Sequence, residues 1–166
     1  MKNLIFTSFA LLCLTLCFSS CSEEEIDYTI YPGQGIGSLK IGDLGSAVFD
    51  ALGDDFETIV NVGTSGNANY NYYSEPRGID IVFGQQSSGD LDINTLPVEG
   101  FIIFEGFPGM TTAGITIGST RDDVIAAYGE PDEQDTTFFE INIYYIGMLV
   151  TYDDNDLVRR IYIVEG

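Results

Sequence analysis

The chain lacks histidine and tryptophan altogether, holds three cysteines, and sets 6 Lys plus Arg against 26 Asp plus Glu in 166 residues. Each shortage excludes some chemistry. Without imidazole there is no Ser/His or Cys/His pair, no base titrating near neutrality of that kind and no His-ligated zinc. A formal charge of -20 repels nucleic acid phosphates, which removes a nucleic-acid partner. What remains is not a disordered acidic tail, because 45% of the residues are apolar and 13% aromatic, enough to fold around a core.

Lys2 precedes an apolar run from Leu4 to Phe18, followed by Ser19-Ser20-Cys21 and Ser22-Glu23-Glu24-Glu25. The run is shorter than the ~20 residues that cross a bilayer, and small residues precede the cysteine, which is the pattern of an export signal rather than a retained helix. Phe18-Ser19-Ser20-Cys21 resembles the bacterial lipobox, with Phe18 where Leu is commoner. That resemblance implies cleavage before Cys21, lipidation of Cys21 and attachment to the outer membrane. Cys13 and Cys17 then leave with the signal, so no disulfide forms in the mature chain and no thiolate catalyst or metal site remains. The Glu23 to Glu25 triplet resembles export tags of surface-displayed lipoproteins in the Bacteroidota; a solvated linker accounts for it equally well.

The expected organisation is a signal peptide at 1–20, an acidic tether at 21–31, and two α+β repeats at 32–108 and 109–166. Leu39-Lys40-Ile41-Gly42 with Val48, Ala51, Leu52 and Gly53 matches Ile115-Thr116-Ile117-Gly118 with Val124, Ala127, Tyr128 and Gly129 at constant offset. Gly78 to Phe83 then matches Gly147 to Tyr152, and Phe101 to Gly106 matches Ile161 to Gly166, with longer loops in the first copy. One insertion is the Gln85 to Leu96 stretch. Ser119 is the expected N-cap of the second helix with Asp122 as its capping-box partner, Asp43 opens the first helix, and Gly53 and Gly129 end them. Beyond each helix the period becomes two, as in half-buried strands, and about three strands follow each helix. The fold class is α+β, two tandem helix-plus-antiparallel-sheet repeats with both helices on one face of a continuous or split sheet.

Gly114-Ile115-Thr116-Ile117-Gly118-Ser119-Thr120, Val124 and Tyr128-Gly129-Glu130-Pro131-Asp132 resemble small outer-membrane lipoproteins of the SmpA/OmlA type. They equally resemble the tandem modules of β-lactamase inhibitor proteins. Either resemblance implies a concave-sheet, protein-binding and non-enzymatic module without a cofactor, and the duplication favours the tandem arrangement.

Strand parity singles out a binding face. If Ile79, Ile81, Phe101, Ile103, Met148, Val150, Ile161 and Ile163 meet the helices, then Val82, Ile102, Phe104, Leu149, Tyr162 and Val164 face away. Ile102, Phe104, Leu149 and Tyr162 with Arg160 alongside have the aromatic-plus-arginine character of binding hot spots, and these five form the candidate partner site. Arg159 and Arg160 suit an acidic partner, although pairing with Asp153 or Asp154 explains them as well.

Asp153 to Asp156, and Asp90, Asp92 and Asn94, supply oxygen atoms but match no full calcium loop, since Thr95 stands where an EF-hand needs glycine; turns and loops are the expected role, and no metal is assigned. Gly33 to Ser38 is glycine-rich, yet a strand-like Leu39-Lys40-Ile41 follows where a phosphate-cradling loop would open a helix. The functional expectation is an envelope lipoprotein that binds an unnamed protein, as an envelope-assembly accessory or as a binder or inhibitor of an extracellular protein. The alternative is a carboxylate-dependent hydrolase acting on an envelope or extracellular glycan.

Overall fold

The computed structural model describes residues 26–62, 67–87, 92–136 and 141–166. Cys21, the apolar run and the acidic triplet lie outside the described residues. Three short strands, β1 (Ile30–Tyr31), β2 (Gly35–Ile36) and β3 (Leu39–Lys40), make a small antiparallel sheet and lead into helix α1 (Gly45–Leu52). The first half continues with β4 (Glu57–Val62), β5 (Asn67–Ser74), β6 (Ile79–Ser87), a 3-10 turn at Ile93–Thr95, and β7 (Val98–Ile103). Helix α2 (Arg121–Tyr128), β8 (Glu133–Thr136), β9 (Ile141–Tyr145), β10 (Met148–Tyr152) and β11 (Val158–Ile163) complete the second.

The long strands form one continuous antiparallel sheet in the order β4-β5-β6-β7-β11-β10-β9-β8. Each half therefore contributes four strands, one more than the alternation pattern implies. The sheet is α+β in the expected sense, a helix and an antiparallel meander used twice. Both halves clamp their last strand to the loop before their helix with the same bonds at matching positions. Gly42 N–H donates to Val98 C=O at 2.7 Å and Gly118 N–H to Val158 C=O at 2.8 Å; Gly45 N–H donates to Leu96 C=O at 2.9 Å and Arg121 N–H to Asp156 C=O at 3.0 Å.

All eight residues assigned by parity to the helix side are buried in a single core, where Val48 and Leu52 from α1 and Val124 from α2 meet them. Fully burying such side chains contributes about 1.5–3 kcal/mol each before conformational entropy is subtracted. The assignment of residues up to 31 to a tether is corrected here. Ile30 is fully buried, its N–H donates to Met110 C=O at 2.8 Å, its C=O accepts from Thr112 N–H at 3.1 Å, and Tyr28 packs edge-on against Phe107 at 5.5 Å. An apolar side chain only a few residues past an acidic string cannot be told from linker by composition, but this strap ties the first half to the second. The glycine-rich stretch from Gly33 forms the turns of this small sheet and opens no helix.

The helix start is also corrected by one residue. Thr120, not Ser119, is the N-cap of α2: Thr120 Oγ1 accepts from Asp123 N–H at 3.2 Å, and Asp123, rather than Asp122, accepts from Thr120 N–H at 3.0 Å. Ser119 is drawn off because its side chain accepts from Thr116 N–H at 3.0 Å and its C=O accepts from Val158 N–H. Asp43 does the same in the first half, accepting from Lys40 N–H at 2.8 Å, so α1 is capped by Leu44, which has no side-chain acceptor and is half exposed. Gly53 and Gly129 end the helices with φ of 82° and 84°, as the sequence predicts.

The asymmetry of the caps yields a paired prediction. Thr120→Ala should lower stability by about 1 kcal/mol, and Leu44→Ser should raise it by roughly 0.5–1 kcal/mol by supplying the missing acceptor. Urea unfolding of the two variants checks this; equal and opposite signs from those expected would refute the cap assignment.

Candidate functional site

The site grows from the pairing of β7 with β11 at the centre of the sheet. Phe101, Ile102 and Ile103 lie opposite Ile163, Tyr162 and Ile161. Because Phe101 to Ile103 and Ile161 to Ile163 are repeat equivalents, this pairing matches each half to the other about the Ile102–Tyr162 pair. A local twofold axis passes through it. The register extends outward as one row of Cα partners across all eight strands: Glu57, Tyr73, Asp80, Ile102, Tyr162, Leu149, Tyr144 and Glu133. In β6, β7, β11 and β10 the row lies on the side of the sheet away from both helices, since its neighbours in those strands are buried core residues.

A groove of about 380 Å³ opens along the centre of this row, with Ile102, Phe104, Arg160 and Tyr162 in its walls. The structure thus brings together four of the five residues expected from sequence. Leu149 is not part of the groove wall; it pairs with Tyr162 and extends the apolar surface beyond it. Ile102, Phe104, Leu149, Arg160 and Tyr162 are all half-buried, whereas Val164 is exposed.

Local features shape the groove. Phe104 stacks on Tyr73 with ring centroids 5.6 Å apart and planes 13° from parallel, although the two residues sit on either side of β6. Gly78 fixes the backbone that carries Phe104: Phe104 N–H donates to Gly78 C=O at 2.9 Å, and a Cβ on Gly78 would stand 2.3 Å from the Phe107 nitrogen. On β11, Thr151 pairs with Arg160 but Tyr152 with Val158, so Arg159 is the extra residue of a bulge. Such a bulge re-aims a side chain, and it is why two consecutive arginines both line a groove that strict alternation would give to one.

Asp80 lies on the groove wall between Tyr73 and Ile102 in the row. Burial raises its pKa above the ordinary carboxylate value, and a hydrogen-bond donor on Asn71 opposes the rise. Asn71 Nδ2 donates to both oxygens, at 2.9 and 3.0 Å. Asp80, Tyr73 and Asn71 were not singled out by parity alone. The signal that marks Asp80 is the repeat itself, because its equivalent in the second half is Leu149.

The acidic loops are turns. Asp153 accepts from Asn155 N–H at 2.8 Å and Leu157 N–H at 3.0 Å, and these backbone bonds, Leu157 first, hold its pKa below the usual range, with Arg159 adding to the effect. Asp92 caps the 3-10 turn by accepting from Asn94 N–H at 3.0 Å, while Asp90 lies outside the described residues. Among the described residues no group of three or more Asp, Glu, Cys or His is placed to hold a metal ion.

No protein-family model matches this chain, and no curated protein matches it. Among solved structures, it is similar to the crystal structure of a DUF4309 family protein, YjgB, from Bacillus subtilis subsp. subtilis str. 168. The identity is 12% and the TM-score 0.44, over 81% of this chain and 88% of that one. Neither family nor function follows from a likeness of that size.

The raised pKa of Asp80 makes a signed prediction. A carboxyl group that titrates higher in the folded chain takes up protons on folding, so stability falls as pH rises from its unfolded value through its folded one. Asp80→Asn should therefore match the wild type in acid and gain on it as pH rises through and above the ordinary carboxylate range. Melting temperatures of both proteins across that range check this, and a wild type that gains on the variant with rising pH would contradict it.

Proposed function

We propose that the protein is a lipid-anchored lipoprotein of a bacterial outer membrane, held through Cys21, and that its groove-bearing sheet face binds a protein partner without catalysing a reaction. The observation that carries the binding reading is the groove along the Ile102–Tyr162 row. Aromatic and aliphatic side chains there are half-buried on a face away from both helices, with two arginines in the same lining. The anchor reading draws on Phe18-Ser19-Ser20-Cys21 and the preceding apolar run. The resemblance of Gly114 to Asp132 to SmpA/OmlA-type lipoproteins and to β-lactamase inhibitor modules supports a protein as the partner, met either inside the envelope or at the cell surface.

A second reading, hydrolysis of a glycan by paired carboxylates, draws on Asp80 and Glu105, which both line the groove. It stands behind the first. Burial raises the pKa of Asp80 in the direction a general acid needs, but the Asn71 bonds to both of its oxygens oppose that rise, and Glu105, the other member of such a pair, is exposed to solvent.

The test places a photo-reactive residue at position 162 and, in a separate chain, at the exposed helix position 46. Irradiation of cells should give a protein adduct from 162 and none from 46, and Phe104→Asp should remove the adduct while leaving far-UV dichroism nearly unchanged. Adducts of equal yield from both positions, or none from 162, would remove the face from consideration. In the same cells, Cys21→Ala should abolish labelling by a fatty-acid analogue and release the protein from the membrane fraction. Protease added to intact cells, with a periplasmic control, then separates surface display from a periplasmic location.

A further inference from the structure

The two halves build the open face by the same rule, and they disagree at one central position. Asp80 and Leu149 are repeat equivalents, each the second residue of its strand and each next to the central Ile102–Tyr162 pair in the row. Leu149 shows that an apolar side chain satisfies this backbone position. A carboxylate there is not required by the sheet, and placing it on a half-buried apolar wall works against folding, because a charge loses hydration there.

Around Asp80 the groove offers the surroundings of a bound cation. Tyr73 and Ile102 flank it in the row, the Tyr73–Phe104 stack stands beside it, and Tyr162 is the next residue beyond Ile102. Aromatic faces attract ammonium and guanidinium groups, and a partly desolvated carboxylate completes such a pocket. Asn71 holds the carboxylate in place from the strand behind. Arg159 and Arg160 each have an interaction of their own, and Arg160 lies one row along from Asp80. The groove thus carries two carboxylates, Asp80 and Glu105, and two arginines in one lining. The chain as a whole, at -20, draws basic partners toward it from a distance.

We infer that Asp80 is the specificity-determining residue of the open face, and that the partner is a protein segment which brings a lysine or arginine side chain to Asp80, against Ile102 and beside the Tyr73–Phe104 stack. This rests on the binding reading given above, and it names the chemistry of the partner.

The experiment selects random linear peptides displayed on phage against the purified protein, then measures synthetic versions of the enriched peptides. Enriched sequences should share a Lys or Arg, and its replacement by norleucine should weaken binding by about thirtyfold or more, the order of loss when one member of a desolvated charge pair is removed. Asp80→Asn and Asp80→Leu should weaken the same peptides to a similar degree while melting at or above the wild-type temperature. Asp50→Asn, which removes the same charge from an exposed position on α1, should change binding less than about twofold, so that general attraction to an acidic protein is separated from the pocket. Peptides that require Phe104 and Tyr162 but carry no basic residue, or that bind Asp80→Leu undiminished, would overturn the inference and leave the groove as a binding site. Failure to enrich any peptide that depends on Phe104 and Tyr162 would overturn both.

Discussion

The pairing of β7 with β11 is the interaction on which the remaining architecture rests. Each half could form its own four-stranded meander, but only this ladder makes one sheet of eight strands and brings Ile102 beside Tyr162. It joins residues about sixty positions apart, so it is formed against loop-closure entropy and late in the order of contacts. The core on one side and the groove on the other both straddle it. The N-terminal strap adds a second tie, since Ile30 bonds to residues of the second half before the chain enters α1.

How much of this was legible in the sequence depends on which physical signal carries each feature. Side-chain alternation is a strict period-two property, so the inward set from Ile79 to Ile163 and the outward set with Ile102, Phe104, Leu149 and Tyr162 could be assigned without coordinates. One strand of each half goes beyond the alternation pattern; in the first half Asn67 to Ser74 sets asparagine against alanine and tyrosine, a weaker contrast than charged against aliphatic residues. The helix start slipped by one residue because Ser119 and Thr120 are both good caps, and the choice between them is made by a strand far along the chain that takes up Ser119. Arg159 reaches the groove through a bulge, and no sequence pattern fixes where an antiparallel ladder drops a residue.

Duplication gives this chain an internal control that single modules lack. Where the halves agree, as at the bonds that clamp β7 and β11 to the loops before the helices, the shared chemistry is what the module needs in order to fold. Where they differ, the fold tolerates both choices and other pressures have decided. Phe83 in the first half is Tyr152 in the second, whose buried hydroxyl has no hydrogen-bond partner among the described residues. Asp80 against Leu149 is the same kind of difference, moved from the core to the open face.

The strand order has a consequence for how copies of this protein meet. Among the described residues, both outer edges of the sheet are the first strands of their halves, β4 and β8, and the backbone groups along such an edge are templates for another strand. Glu57 and Glu133 open these edges, and the row that crosses the sheet begins and ends on them. Crowded side by side, neighbouring molecules would bring one glutamate-bearing edge up to another before any ladder could form. Like charges at that approach keep the sheets apart, and they do so through a field that ordinary salt reduces within about 10 Å. Dense packing is therefore tolerated in dilute ionic surroundings, while concentrated salt removes the guard from both edges at once.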